Sequence, residues 1–135
     1  MKCAPHLSFN GNCREAMIFY QQCLGGSLHL QTVGDSPKAA ELPSAFQEYI
    51  LHGSLTVGEF LIMATDLTNE NQSNPNNQVS IFLWCDTSSE LHDKFDKLGS
   101  QGIAIQPISS TDEGGLSGEL TDQFGVNWIL RIVNC

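Results

Sequence analysis

The sequence repeats one pattern of strands and a helix on either side of a polar segment. That segment, residues 69–77, is rich in Asn and separates two halves of the chain. Apolar side chains at helical spacing predict one helix in each half, and strand-like segments precede and follow it. The repeat therefore predicts an α+β fold of two βαβββ modules, residues 1–68 and 78–135, joined by the 69–77 linker in a single domain of 135 residues. Since one module leaves a sheet face uncovered, the two are expected to form a curved mixed sheet around a pocket.

Short-range signals predict where the helices begin and where the chain turns. Asn12 with Glu15, and Thr87 with Glu90, have the spacing of a capping box, which indicates a helix start in each half. The glycine-rich segment 112–118 predicts a loop before the last hairpin.

Positive charge is scarce along the chain. Lys and Arg total 6 against 15 Asp and Glu, which gives a formal net charge of −9. Nucleic-acid binders need a basic surface and an anionic membrane would repel this chain, so neither is expected as a partner. No apolar run approaches the ~20 residues of a membrane span, and no signal peptide is predicted. The five cysteines have no C-x-x-C spacing, which favours reduced thiols in a cytoplasmic protein.

Four segments resemble one protein family. They are 5–16 (PHLSFNGNCREA) with Phe19-Tyr20 after it, 51–58 (LHGSLTVG), 61–66 (LIMATD) and 120–128 (LTDQFGVNW). In this order they resemble PhnB-like proteins of the vicinal-oxygen-chelate superfamily, which includes glyoxalase I, extradiol dioxygenases and bleomycin- or fosfomycin-resistance proteins. The resemblance implies a glyoxalase-like fold and a homodimer. The segment 111–116 lacks the aromatic-glycine pair common in PhnB-like chains, which implies a different ligand or a more open pocket mouth.

Metal enzymes of that superfamily carry one His, Gln or Glu ligand on each of four strands. Alignment with glyoxalase-type sequences, together with the internal repeat, assigns the four positions to Pro5, Ile62, Ser80 and Ile129. None of these side chains chelates a divalent cation, so no cofactor is expected, although a divalent metal on an unusual ligand set stays open. His6 is one residue from the first position, but strand alternation would turn it to the opposite face.

Strand alternation from these positions predicts which side chains face the pocket. They are Ile62, Ala64, Asp66, Ser80, Phe82, Trp84, Ile129 and Arg131. Phe82 and Trp84 would line the pocket, and Arg131 would favour a carboxylate or another anion. The alternative for Arg131 is an ion pair with a surface acid at the strand end.

Histidines and carboxylates supply the remaining candidates. His6 and His52 lie on predicted strands, either as hydrogen-bonded structural residues or as ligand-binding or proton-transferring groups. The other two histidines, His29 and His92, are interpreted as surface residues. Near the last hairpin, Glu119 and Asp122 flank a turn, where Asp commonly bonds the backbone; the alternative is an acid–base pair.

The favoured function is a PhnB-like protein that binds a small molecule in the pocket without the usual metal set. The candidate binding residues are His6, His52, Asp66, Ser80, Phe82, Trp84 and Arg131. An alternative is a metal-dependent lyase, isomerase or dioxygenase with an unusual ligand set drawn from His6, His52, Asp66 or Glu119. A third is a structural dimer module with a filled cavity. PhnB-like chains are often named as methyltransferases, but no glycine-rich nucleotide-binding loop follows a strand.

Overall fold

The computed structural model describes residues 1, 3–41, 43–66, 79–111 and 114–132. The chain divides into two compact units, residues 1–73 and 74–135. The predicted linker 69–77 lies outside the described residues. No helix in the described part of the chain is both long enough and apolar enough to cross a membrane.

The first unit is a βαβββ arrangement with one four-stranded mixed sheet. Its elements are β1 (His6–Ser8), α1 (Cys13–Leu24), β2 (Ser27–Thr32), β3 (Ile50–Val57) and β4 (Phe60–Thr65). The strand order is β1-β4-β3-β2, in which β1 runs parallel to β4 and the other pairs are antiparallel. Two short 3-10 helices, Pro37–Glu41 and Ser44–Phe46, lie between β2 and β3.

The second unit repeats this topology. Its elements are β5 (Ile81–Trp84), α2 (Ser88–Leu98), β6 (Ile103–Ser110), β7 (Leu116–Thr121) and β8 (Asn127–Ile132). The strand order is β5-β8-β7-β6, with β5 parallel to β8. The prediction of an α+β fold built from two βαβββ modules is therefore confirmed.

One face of the first sheet is covered by α1, whose apolar residues recur at helical spacing. The buried positions of the helix are Cys13, Ala16, Met17, Tyr20 and Cys23. Alternate residues of the contacting strands β3 and β4 are buried beneath it, among them Leu55 and Ile62. The opposite face, called here the helix-free face of the first sheet, carries His6, His29, Gln31, His52, Ser54 and Met63.

The second sheet is arranged in the same way beneath α2. Leu91 and Leu98 of the helix are buried, as are Leu120, Trp128 and Leu130 of the strands it contacts. The helix-free face of the second sheet carries Phe82, Trp84, Ser117, Glu119, Ile129 and Arg131, which are paired across β5, β8 and β7.

The two helix starts differ in how they are capped. Thr87 accepts the Glu90 N–H at 3.0 Å, and the Glu90 carboxylate accepts the Asp86 N–H at 3.2 Å, so the predicted cap of α2 is confirmed. Helix α1 also begins directly after Asn12, as predicted, but the Asn12 side chain makes no capping hydrogen bond there, so the predicted capping box does not form. The acceptor for α1 comes instead from Asp66.

The predicted loop 112–118 is wrong at its C-terminal end, because β7 begins at Leu116 and includes Gly118. Gly118 is buried, and a Cβ atom placed on it would lie 2.7 Å from Cε2 of Phe95 in α2. Because Gly118 has no side chain, the Phe95 ring can pack directly against the sheet at this position. Gly118 thus lies within β7 and does not mark a loop.

Candidate functional site

The prediction that Ile62, Ala64 and Asp66 face a pocket is wrong. They are 0%, 1% and 4% exposed, and they lie on the helix-covered side of the first sheet. The internal repeat transfers the face of the second hairpin to the first, but the turns of the two hairpins, which contain Gly58 and Gly125, differ in length. The first turn is only 58–59, whereas the second spans 122–126, so equivalent glycines do not fix which side a following residue faces.

The Asp66 carboxylate is bonded to the backbone of its own unit. Its Oδ1 accepts the N–H groups of Gly11 at 2.8 Å and Cys13 at 2.9 Å, and its Oδ2 accepts the N–H of Ile50 at 2.8 Å. Asp66 thus joins the end of β4 to the start of α1 and the start of β3. Both oxygens are engaged, which gives this side chain a structural role.

His6 and His52 both lie exposed on the helix-free face of the first sheet. The expectation that alternation turns His6 away is wrong: it pairs with Met63 of β4, whereas Leu7 lies on the helix-covered side beside Ala64. In the strand order, β4 separates the strand of His6 from that of His52. Their proposed ligand-binding role stays a prediction.

A depression of about 390 Å³ opens on this face between β2 and β3. Its polar and sulfur-bearing lining consists of His29, Gln31, His52, Ser54 and Met63. His29, interpreted from the sequence as a surface residue, is exposed but shares this depression with His52. The sequence signal that could have placed His29 on this face is the alternation of polar and apolar residues along 27–32. That alternation is weak, because the strand contains only two leucines.

Phe82, Trp84 and Arg131 lie together on the helix-free face of the second sheet. The ring centroids of Phe82 and Trp84 are 4.7 Å apart, and Cζ of Arg131 is 5.7 Å from the Phe82 centroid. Arg131 is the registered neighbour of Trp84 in the parallel pair β5–β8. The prediction that these side chains share one face is confirmed. The tryptophan is 65% exposed and the phenylalanine 38%, so both offer apolar surface to solvent.

The guanidinium of Arg131 is incompletely satisfied. Its Nε is buried and has no hydrogen-bond partner among the described residues. The ion pairs found in the described part of the chain join Asp93 to Lys94 and Lys97 on α2, so the alternative of a surface partner for Arg131 is not seen there. Glu119 shares the sheet face, opposite Ile129, without reaching ion-pair distance. A guanidinium that is incompletely hydrogen-bonded can donate further hydrogen bonds to an anionic ligand.

Two other predicted positions of the second unit, Ser80 and Asp122, differ in burial and in role. Ser80 is exposed just before β5. Asp122 is buried: Oδ1 accepts the Phe124 and Val126 N–H groups at 2.8 and 3.0 Å, and Oδ2 accepts the Trp128 indole N–H at 2.8 Å. The turn-bonding interpretation of Asp122 is therefore confirmed, and its oxygens are occupied.

The described residues do not fit the superfamily's usual metal set. On β1, β4, β5 and β8, helix-free positions carry His6, Met63, Phe82 and Ile129, of which only the histidine is among the usual ligand types. Of the positions assigned from the sequence, Ile62 lies under α1. No group of three or more His, Cys, Asp or Glu residues with metal-binding geometry occurs in the described ranges.

Two buried thiols are poor nucleophiles. Burial raises the pKa of Cys13 from 9.0 to about 12, and the Asp66 carboxylate adds to that rise. Burial likewise raises the pKa of Cys85 from 9.0 to about 11, with Glu90 and Asp86 contributing. Because the thiolate is the reactive form, neither cysteine offers nucleophilic chemistry at neutral pH.

Comparison with known proteins gives one family over nearly the whole chain. The family model described as 3-demethylubiquinone-9 3-methyltransferase matches residues 1–131. Protein YjdN of Escherichia coli (strain K12) is 29% identical over 142 residues, which cover 98% of this chain and 96% of that protein. The crystal structure of protein PA1353 from Pseudomonas aeruginosa is similar at 35% identity and a TM-score of 0.87, over 98% of each chain.

More distant structures share the fold. A Bacillus cereus protein, described as a putative 3-demethylubiquinone-9 3-methyltransferase and PhnB protein, has 24% identity and a TM-score of 0.75, over 98% of this chain and 100% of that one. A glyoxalase-related enzyme from Fulvimarina pelagi has 15% identity and a TM-score of 0.64, over 98% of this chain and 88% of that one.

Proposed function

We propose a ligand-binding function for this chain, which belongs to the PhnB-like family described as 3-demethylubiquinone-9 3-methyltransferase and has the glyoxalase-like fold. The proposed ligand is a small planar anion. Its contacts are Phe82, Trp84 and Arg131 on the helix-free face of the second sheet, and binding does not use the superfamily's usual metal set.

The observation that carries the proposal is the Arg131 Nε, which is buried without a hydrogen-bond partner beside two exposed aromatic rings. A guanidinium bonds a carboxylate through two parallel N–H groups, and such charge-assisted bonds are stronger than neutral ones. Phe82 and Trp84 offer ring faces on which a planar ligand can stack. In a chain of net charge −9, a local cation is needed to attract an anion to any one face.

Methyl transfer is a weaker candidate than binding. The connections from β1 to α1 and from β5 to α2 are 9–12 and 85–87, which contain one glycine, Gly11, and no glycine-rich phosphate-binding pattern. A homodimer in the cytoplasm remains part of the proposal, and light scattering of the purified protein tests the dimer.

Benzoate and its neutral counterpart benzamide test the proposal directly. Tryptophan fluorescence reports binding because Trp84 is exposed, whereas Trp128 is fully buried and supplies a constant background. We expect benzoate to bind more tightly than benzamide. Arg131→Gln is expected to weaken benzoate binding by about tenfold or more, since a hydrogen bond to a charged group contributes ~1.5–3 kcal/mol. Benzamide binding should change little in this variant.

Arg14→Gln is the matched control, because it removes the chain's other arginine from the exposed surface of α1. It should leave benzoate binding unchanged. Equal affinities for benzoate and benzamide, or a loss of the same size in Arg14→Gln, would contradict an anion site at Arg131. A saturable benzoate site that isothermal titration calorimetry still detects in both Arg131→Gln and Trp84→Phe would place binding elsewhere.

A further inference from the structure

We propose that the helix-free face of the first sheet holds a copper(I) site built from His29, His52 and Met63. All three line the depression of about 390 Å³ described above. The site belongs to a different unit and uses none of the residues of the proposed anion site, so the two proposals succeed or fail separately.

Strand register brings the two imidazoles together. His29 of β2 lies opposite Ser54 of β3, and His52 lies opposite Gln31, so the histidines are diagonal neighbours on one face. Diagonal Cα atoms in an antiparallel pair are about 7–8 Å apart, a spacing that two long side chains can span to meet at one ion. Both histidines are exposed, so no strong contact with the protein has to be broken first.

Met63 reaches the same depression from the third strand. It pairs with Ser54, which itself pairs with His29, so His29, Ser54 and Met63 form a row across β2, β3 and β4. His52 lies two residues before Ser54 on the same face of β3. Met63 is half-buried and lines the depression. Met63 therefore offers a soft thioether sulfur as a third donor beside the two imidazole nitrogens.

The donor types select the ion. Imidazole suits zinc, copper, iron and nickel, but a thioether favours copper(I) over the harder ions. The described residues that line the depression include no carboxylate, so a calcium or magnesium site is not favoured. The two histidines come from β2 and β3, which do not contribute to the superfamily's usual set, whereas Met63 comes from β4, which does.

Copper(I) itself is the probe. Under anaerobic conditions, the purified full chain is titrated against the chromogenic chelator bicinchoninate, and the same proteins are titrated with Zn²⁺. We expect one copper(I) ion per chain. His29→Ala and His52→Ala should each lower the affinity for copper(I) about tenfold or more. Loss of a residue that only supports a metal ligand already lowers affinity by about that factor, and loss of a ligand should cost at least as much. Met63→Leu should weaken copper(I) but leave any Zn²⁺ binding unchanged.

Two control variants keep the assignment falsifiable. His92→Ala removes an exposed histidine of α2, and His6→Ala removes the β1 histidine opposite Met63. Neither should change copper(I) affinity, and far-UV circular dichroism should show every variant folded. The proposal is overturned by an absence of competition with bicinchoninate, by equal affinities in wild type and His52→Ala, or by a loss in His6→Ala as large as that in His29→Ala. A Met63→Leu variant that loses copper(I) and zinc equally would also overturn it.

Discussion

Replacing Asp66 tests whether one buried carboxylate holds three segments of the first unit together. In the wild type, the Asp66 carboxylate oxygens accept the N–H groups of Gly11, Cys13 and Ile50 at 2.8–2.9 Å. Asp66→Ala removes these acceptors. Each hydrogen bond to a charged group contributes ~1.5–3 kcal/mol, but three bonds to one carboxylate are not additive. We therefore expect a loss of about 3–5 kcal/mol, because three N–H donors are left without an acceptor and each unsatisfied donor costs about 1–3 kcal/mol.

The conservative variant Asp66→Asn should lose less. Its amide keeps one acceptor oxygen, and the best orientation retains the bonds to Gly11 and Cys13 while its NH₂ group faces the Ile50 N–H. One unsatisfied buried donor costs about 1–3 kcal/mol, so the expected order of stability is wild type, then Asp66→Asn, then Asp66→Ala.

Urea unfolding measures these differences as shifts in midpoint at constant slope. Both tryptophans, Trp84 and Trp128, belong to the second unit, so their fluorescence follows that unit, whereas far-UV circular dichroism follows both helices. The loss should therefore appear first in circular dichroism if the units unfold separately, and in both signals if they unfold together. Asp86→Ala, an exposed aspartate before α2, is the matched control and should change stability by under about 0.5 kcal/mol. An Asp66→Ala midpoint equal to that of Asp86→Ala would refute the structural role.

Two further predictions concern packing and the buried thiols. Gly118→Ala should destabilise the chain by about 1–3 kcal/mol, because the new methyl group would meet the Phe95 ring, and Phe95→Leu in the same chain should recover part of that loss in urea unfolding. Folding raises the pKa of Cys13 from 9.0 to about 12, so above pH 9.0 the unfolded chain loses a proton that the folded chain keeps. Stability should consequently fall as the pH rises from 9.0 towards 12, and Cys13→Ala should flatten that fall in urea midpoints measured across the range. An unchanged slope in Cys13→Ala would contradict the raised pKa.

Local patterns in the sequence predicted the parts of the fold that depend on near neighbours. Thr87 and Glu90 are three positions apart, and their cap forms as the spacing predicts. The cap of α1 could not be found in this way, because its acceptor, Asp66, lies 53 residues from Cys13 along the chain. A hydrogen bond over that distance depends on how β4 ends beside the helix, which no short motif encodes.

The faces of the two sheets show the same limit. Alternation counted from Ser80 and Ile129, the positions assigned by alignment with glyoxalase-type sequences, placed Phe82, Trp84 and Arg131 on one face. The pairing of β5 with β8 preserves that alternation. Alternation failed for Ile62 and Asp66, because their face was carried over from the other half through hairpins with turns of different length. Side chains alternate between the two faces of a strand, so an alignment error of one residue assigns every side chain to the wrong face. A repeat alignment therefore predicts the order of elements more securely than the direction of a side chain.

The buried aspartates of this fold also decide which variants can test its function. Asp66 and Asp122 each bond three N–H groups, so replacing either one perturbs the fold before any ligand is involved. A loss of binding or activity in such a variant would therefore not identify a ligand contact. The side chains of His29, His52 and Arg131 lie on helix-free faces and cap no helix or turn among the described residues. Only changes at positions of this kind can separate a lost ligand contact from a lost structure, so functional assignment should begin with them.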